Sequence, residues 1–502
     1  MSALRSTLPA LLLLASTGAL PAQARPAPAP DLKAFDRYVA QAVRDWRIPG
    51  LAIAVVRDDS LVFARGYGVL DLTKPTPVDV HTRFAIGSTT KAMTSAALGM
   101  LVDEGKLRWD DRVIDYLPDF RLYDPYVTRE LTVRDLLTHR SGLPGTDLLW
   151  FRRDYTLDEM IRRLRFVRPE SSFRSHWSYQ NVVYAIGGAL VAKISGMPWE
   201  DFIRTRIFAP LGMTESEPLV AGIELKPNVA RPHADIRDTV RAVPIRTTDP
   251  VASAGSVWSS VSDMSKWMRF ILDSGRVGTR RLLTPATFTE LITPQIRADQ
   301  ATYAASLSLA RPHIFSYALG WFVQDYQGET VWMHTGSIDG MVAIIGLLPD
   351  RRTGVYVLAN RDHAELRHAL MYKVFDLYTG KPERDWSADL LKVLSAQDRS
   401  EAPATRAAGA PSPSLPLEGY AGSYVDSTYG AVDVSVQNGV LQARFGQEEL
   451  GTLAPWGFES FRATGPAPES GHTMFTFVRS GDRVTALQLF GVTFARAATT
   501  TP

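Results

Sequence analysis

Cysteine is missing from all 502 residues. Its absence excludes a thiol nucleophile, a cysteine-ligated zinc and a disulfide scaffold together, and it removes the residue that a lipoprotein anchor needs. Neither sign of charge dominates: 55 Lys and Arg stand against 53 Asp and Glu. Basic pairs such as Arg162-Arg163 and Arg280-Arg281 read as solvated faces, so nucleic acid is not an expected partner. No Gly-x-Ser-x-Gly turn occurs, which disfavours an α/β-hydrolase nucleophile elbow. His-Glu-x-x-His is also absent and the nine histidines are scattered, so neither a metal nor any other cofactor is expected. Asparagine is scarce, with only Asn181, Asn228, Asn360 and Asn438.

What is present describes a folded chain, with 45% hydrophobic and 22% charged residues, long enough for two or three domains. At the amino terminus Arg5 precedes an apolar stretch, Leu8 to Leu20, followed by Ala22-Gln23-Ala24. This is the pattern of a cleavable signal peptide over residues 1–24, too short to span a membrane comfortably as a helix. Export to the periplasm or medium, without stable membrane insertion, is the expectation.

Phe35, Val39, Ala42, Val43 and Trp46 recur at helical spacing and stop at Pro49-Gly50. Leu51–Val56 and Leu61–Gly66 flank Arg57-Asp58-Asp59-Ser60 as a hairpin. A long helical region runs from about Ser88 to Leu211, with candidates at Ser88–Glu104, Val133–Thr138, Leu157–Leu164, Val182–Ser195 and Trp199–Ile207. Strand character returns at Val331–His334, Met341–Leu348 and Gly354–Ala359, ahead of a helix over Ala364–Leu377. A hairpin near the start and three strands near the end imply one antiparallel sheet with flanking helices and an inserted helical subdomain, an α+β fold. This domain is expected over 25–380. A Pro- and Ala-rich linker is expected over 381–415, and an all-β barrel-like domain over 416–497.

The segment Ile86-Gly87-Ser88-Thr89-Thr90-Lys91 carries the clearest chemistry. Residues i and i+3 share a helix face, so Lys91 lies one turn below Ser88. A serine hydroxyl needs a base, which a desolvated neutral lysine can supply, and backbone N–H groups at a helix start favour a developing anion. Ser-x-x-Lys taken alone is a weak signal, since an ordinary N-cap and a surface lysine give the same string. Tyr179 and Asn181, in Trp177-Ser178-Tyr179-Gln180-Asn181, add a phenol that can relay protons and an amide that can orient a carbonyl. Met333-His334-Thr335-Gly336-Ser337 ends a strand: Thr335 can donate to a substrate carboxylate, His334 can add partial positive charge, and Gly336 permits close backbone approach.

These three motifs, in this order and on these elements, resemble the serine β-lactamase and penicillin-binding-protein superfamily, nearest its class C β-lactamase, family VIII esterase and D-aminopeptidase branches. Leu136 to Pro144, Pro210-Leu211-Gly212-Met213, Ala254 to Ser259 and Gly320-Trp321 extend the resemblance over about residues 31 to 380. It implies Ser88 as acylated nucleophile and Lys91 as its partner. Tyr179 becomes general base and later acid, and Asn181 a contact to the substrate amide. His334, Thr335, Gly336 and Ser337 join the substrate-binding strand, and the N–H groups of Ser88 and Ser337 form the oxyanion hole. The last domain resembles the lipocalin-like module that follows such hydrolases. His334 stands where many β-lactamases carry lysine, which weakens the case for β-lactams.

The expected activity is therefore hydrolysis of esters or of amides in D-amino-acid-containing peptides, the partner being a small molecule or short peptide. Class C-type β-lactam hydrolysis, acyl transfer to an amine (a transacylase or peptide cyclase) and a non-catalytic binding protein are the competing readings. A homo-oligomer stays open, as does the choice between Lys91 and Tyr179 as the base, because their titrations are coupled.

Overall fold

Leu51, Ile53 and Val55 point to one face of the strand Gly50–Arg57, and Ala52, Ala54 and Val56 to the other; all six are buried. A strand's side chains alternate between its faces, so a sheet apolar on both sides must be covered on both. In the computed structural model the helices Leu32–Asp45 and Leu366–Thr379 cover one face, while Lys91–Asp103 and Val261–Leu272 lie on the other side. Described residues are 30–151, 153–236, 239–380, 382, 384–400, 406, 411–464 and 473–498. The signal peptide expected over 1–24 lies outside them.

The sheet has nine antiparallel strands. Its order is Lys74–Pro77, Ser60–Asp71, Gly50–Arg57, Thr353–Ala359, Met341–Leu348, Glu329–Ile338, Phe322–Tyr326, Phe315–Tyr317 and Ile296–Arg297. The amino-terminal hairpin and the late strands are thus halves of one sheet, joined where Leu51 pairs with Ala359 and Val55 with Val355. The helical region is inserted between them. Four differences from the sequence expectation stand out. Three short strands between 296 and 326 escaped notice, being two to five residues long. The strand expected to end near His334 continues to Ile338. The helix expected over Trp199–Ile207 is α-helical to Ile203 and widens into a π turn over Arg204–Phe208.

The fourth difference concerns the linker. Residues Trp386–Ser400 form a helix inside the span expected to be a linker. Trp386 stacks on Tyr372 at 4.7 Å and its indole N–H donates to Asp376 Oδ2 at 2.7 Å, so tertiary packing holds this segment. Beyond it, eight strands from Gly422–Asp426 to Val492–Arg496 close into a barrel in sequence order. Tyr424, Phe461, Phe475, Phe477 and Phe494 are buried there, so the interior is packed with side chains. Among the described residues no single helix is long and apolar enough to cross a membrane.

Candidate active site

Ser88 lies in a 3₁₀ turn, Gly87–Thr90, that feeds directly into the helix beginning at Lys91. That turn places the two side chains together: Lys91 Nζ donates to Ser88 Oγ at 3.1 Å. Nζ also donates to Asn181 Oδ1 at 2.7 Å and to the Ala254 carbonyl at 2.9 Å. Lys91 is fully buried, and burial pulls its ammonium down to about 7, against the opposing pull of Asp147. The Tyr179 phenol hydrogen-bonds with Ser88, and its ring lies 4.7 Å from Lys91 Nζ. Burial pushes that phenol well above its usual range, outweighing the Ser88 bond. At neutral pH the pair therefore consists of a lysine with a substantial neutral fraction and a protonated tyrosine.

Asn181 is the first residue of the helix Asn181–Ser195 rather than the loop residue before it. Its neighbour Gln180 is pinned on both sides, through its side-chain donor to Leu143 O at 2.7 Å and its backbone N–H to His139 Nδ1 at 3.0 Å. The His139 ring packs against that of Tyr179 at 4.2 Å, tilted by 35°. The Leu136 to Pro144 segment thus acts as a cradle for Tyr179 and Asn181.

The strand Glu329–Ile338 forms the facing wall. An ideal Cβ on Gly336 would fall 1.9 Å from Ile86 O, and one on Gly87 would fall 2.8 Å from Ser337 N. Only glycine allows the strand this close to the turn that carries Ser88, and the approach brings the backbone nitrogen of Ser337 up against Gly87. Thr335 Oγ1 shares a hydrogen bond with Tyr303 Oη at 2.6 Å. His334 does not do what its sequence position suggested. It is 1% exposed and sits behind the cleft wall. Its Nδ1 lies 2.6 Å from Thr335 O, which can only accept, so Nδ1 carries the proton and Nε2 accepts from Tyr317 Oη at 2.9 Å. Burial, aided by the charge of Lys91, pushes the imidazole down to about 3, so it brings no positive charge to the site.

Ser88, Tyr179, Asn181, Thr335 and Ser337 open onto one cleft of about 760 Å³. Three further lining residues gave no sequence signal, because each is a common type acting across a long separation. Asp147 accepts from Asn181 Nδ2 at 3.0 Å and from the Trp150 indole at 2.7 Å. Tyr303 braces Thr335. Gln447 comes from the barrel and donates to Asp154 Oδ2 at 2.7 Å. The barrel is seated there by Arg153, whose guanidinium lies 4.1 Å from the Phe445 ring and donates to Tyr429 O. Arg246 bridges Asp339 at 3.1 Å and Glu448 at 3.5 Å. Among the described residues no group of three or more His, Asp or Glu could hold a metal ion.

A large antiparallel sheet, an inserted helical subdomain and a serine, lysine and tyrosine gathered in the seam between them are the architecture of the β-lactamase-fold serine hydrolases. The family described as Beta-lactamase matches residues 35–378, and the chain belongs to that family, whose members are serine hydrolases. A second match, to a domain of unknown function, covers residues 406–500. Unguisins hydrolase ungD of Aspergillus violaceofuscus is 30% identical over 460 residues, covering 85% of this chain and 80% of that protein. The octameric penicillin-binding protein homologue from Pyrococcus abyssi superposes with a TM-score of 0.62 at 21% identity, covering 93% of this chain and all of the other. A class C beta lactamase from Rhodobacter sphaeroides superposes with a TM-score of 0.55 at 21% identity, over 69% of this chain and 99% of that one.

Proposed function

We propose that the chain is an exported hydrolase that opens esters, or amides in D-amino-acid-containing peptides, through an acyl-enzyme on Ser88. The observation that carries this reading is the 3.1 Å bond from Lys91 Nζ to Ser88 Oγ in a site buried enough to pull the ammonium to about 7. Neutral Lys91 takes the Ser88 proton as Oγ bonds to the substrate carbonyl carbon. The carbonyl electron pair moves onto oxygen, which the N–H groups of Ser88 and Ser337 receive. As the carbon–leaving-group bond breaks, Tyr179 passes a proton to the departing oxygen or nitrogen and is reprotonated from Lys91. Water then attacks the ester on Ser88, gives its proton through the same pair, and releases the acid and free Ser88.

The neutral, buried His334 favours this reading over β-lactam hydrolysis, because no permanent cation on that strand meets a substrate carboxylate. Ungd-type relatedness supports a hydrolase: the Aspergillus protein is by name a hydrolase of unguisins. The deciding measurement is intact mass after mixing with p-nitrophenyl butyrate, a D-alanyl ester or a penicillin, alongside Ser88→Ala. An acyl adduct or turnover lost in the variant, with the ester and D-alanyl probes, supports the proposal. Turnover of the penicillin alone assigns the chain to β-lactam hydrolysis, and product appearing only with an added amine assigns it to acyl transfer. Inertness of Ser88 toward all three overturns the proposal in favour of a binding protein.

A further inference from the structure

Arg367 reaches the peptide that joins Gly336 to Ser337 from behind the strand. It lies in the first turn of Leu366–Thr379, on the sheet face away from the nucleophile helix, and its side chain is 5% exposed. Its Nη1 donates to Gly336 O at 2.6 Å, to Ser337 Oγ at 2.9 Å and to Ala343 O at 3.3 Å. Its Nη2 donates to Glu365 Oε1 at 2.8 Å.

The carbonyl of Gly336 and the N–H of Ser337 belong to one planar unit and point in opposite directions. A guanidinium on that carbonyl therefore fixes where the N–H points. We propose that Arg367 is a positioning residue for the oxyanion hole, orienting and polarising the Gly336–Ser337 peptide so that the Ser337 N–H meets the anion formed at the substrate carbonyl. The inference rests on the reading of Ser88 as the acylated nucleophile.

Two features of the site explain why such a brace is needed. Gly336 must lack a side chain to clear Ile86 O, and a glycine peptide has more freedom to rotate than any other. A donor outside the strand supplies the restraint that the residue itself cannot. A charge-assisted bond to the carbonyl also strengthens the N–H on the far side of the same peptide. Glu365 in turn holds Arg367. Burial would push the Glu365 carboxyl up, but the Arg367 guanidinium and His368 outweigh it and hold it far below the usual range. The Glu365 carboxylate is thus ionised at neutral pH, and both Nη groups of Arg367 are committed to protein acceptors.

The test uses phenylboronic acid, which forms a tetrahedral adduct on a nucleophilic serine, and p-nitrophenyl butyrate, on the full chain. Arg367→Gln should weaken boronate binding and slow acylation by the same factor, about 10- to 100-fold, with KM for the ester changed less than about twofold. Arg367→Lys, which keeps a charged donor, should recover part of both. Because Arg367→Gln leaves Glu365 unpaired, the Arg367→Gln/Glu365→Gln double variant is measured beside it and should show the same loss. Boronate affinity and acylation unchanged in these folded variants overturn the brace alone, and so does a lower melting temperature without a kinetic change. Boronate binding indifferent to Ser88→Ala overturns the reading of the site and the brace with it.

Discussion

Lys91 lies closer to Asn181 than to its own partner serine: Nζ is 2.7 Å from Asn181 Oδ1 and 3.1 Å from Ser88 Oγ. The Asn181 amide can face Lys91 with its oxygen because its Nδ2 is turned to the Asp147 carboxylate. The three side chains form a chain of donors and acceptors ending at Ser88, with the acidic end in the open cleft. Asp147 sets the amide's orientation and, by its charge, opposes the fall in the lysine's proton affinity.

Activity should rise with pH as Lys91 loses its proton, giving kcat/KM an acidic limb centred near 7. Asp147→Asn removes the charge that holds the proton on Lys91, so the limb should move to lower pH. A pH–rate profile of both proteins with p-nitrophenyl butyrate checks this. A limb that stays in place or moves upward in the variant contradicts the assignment of Lys91 as the group observed.

The same burial affects stability. Lys91 binds its proton up to 10.5 in the unfolded chain but only to about 7 when folded. The unfolded state therefore holds the extra proton between those values, and wild-type stability should climb with pH across that window. The full span corresponds to about 5 kcal/mol. Lys91→Met lacks this slope, so its advantage over wild type should be greatest below pH 7 and shrink by about 3 kcal/mol by pH 9.5. Urea unfolding at pH 6 and 9.5 measures it.

His334 acts in the same sense as Lys91 but in a lower, acidic window. Its folded value, near 3, lies below the ordinary 6.5, so the unfolded chain gains protons first as pH falls. Stability held above about 6.5 is lost progressively toward 3. His334→Gln should flatten this part of the acid-unfolding curve, while the slope above pH 7 stays as in wild type. A steeper acid limb in the variant would refute the neutral, buried assignment.

Gly336→Ala forces a methyl group into Ile86 O, and the strand must back away from the nucleophile turn. Acylation should fall by about a hundredfold or more, the cost of displacing one oxyanion donor. The barrel should remain folded. Stopped-flow acylation and circular dichroism together distinguish a displaced donor from general unfolding.

Gln447 tests the contribution of the barrel. Gln447→Trp fills part of the cleft from the barrel side, so KM should rise several-fold for bulky esters while p-nitrophenyl acetate is turned over as before. Arg153→Ala removes the guanidinium from the Phe445 ring and from Tyr429 O, and should cost about 2–3 kcal/mol of stability. Equal effects of Gln447→Trp on large and small esters would exclude a steric wall.

The sequence by itself determined what is local or periodic. Near-continuous apolar, β-prone runs mark the strands Gly50–Arg57 and Met341–Leu348, and the i, i+3 spacing of Ser88 and Lys91 puts the two side chains on one face of a turn. Tyr179, Asn181 and the Thr335-Gly336-Ser337 strand were legible because unusual short strings carry them. Tertiary structure alone decided the rest, because the physics is that of side chains distant in the chain. Asp147, Tyr303, Arg367 and Gln447 are ordinary residue types whose partners lie elsewhere, and no spacing announces them. His334 has the same identity in the sequence whether it is exposed and charged or buried and neutral, and only the depth of its strand settles that. Trp386–Ser400 reads as part of a linker until Tyr372 and Asp376 receive Trp386. Local pattern names the chemical groups; burial and long-range contact set their charge, their orientation and the wall they face.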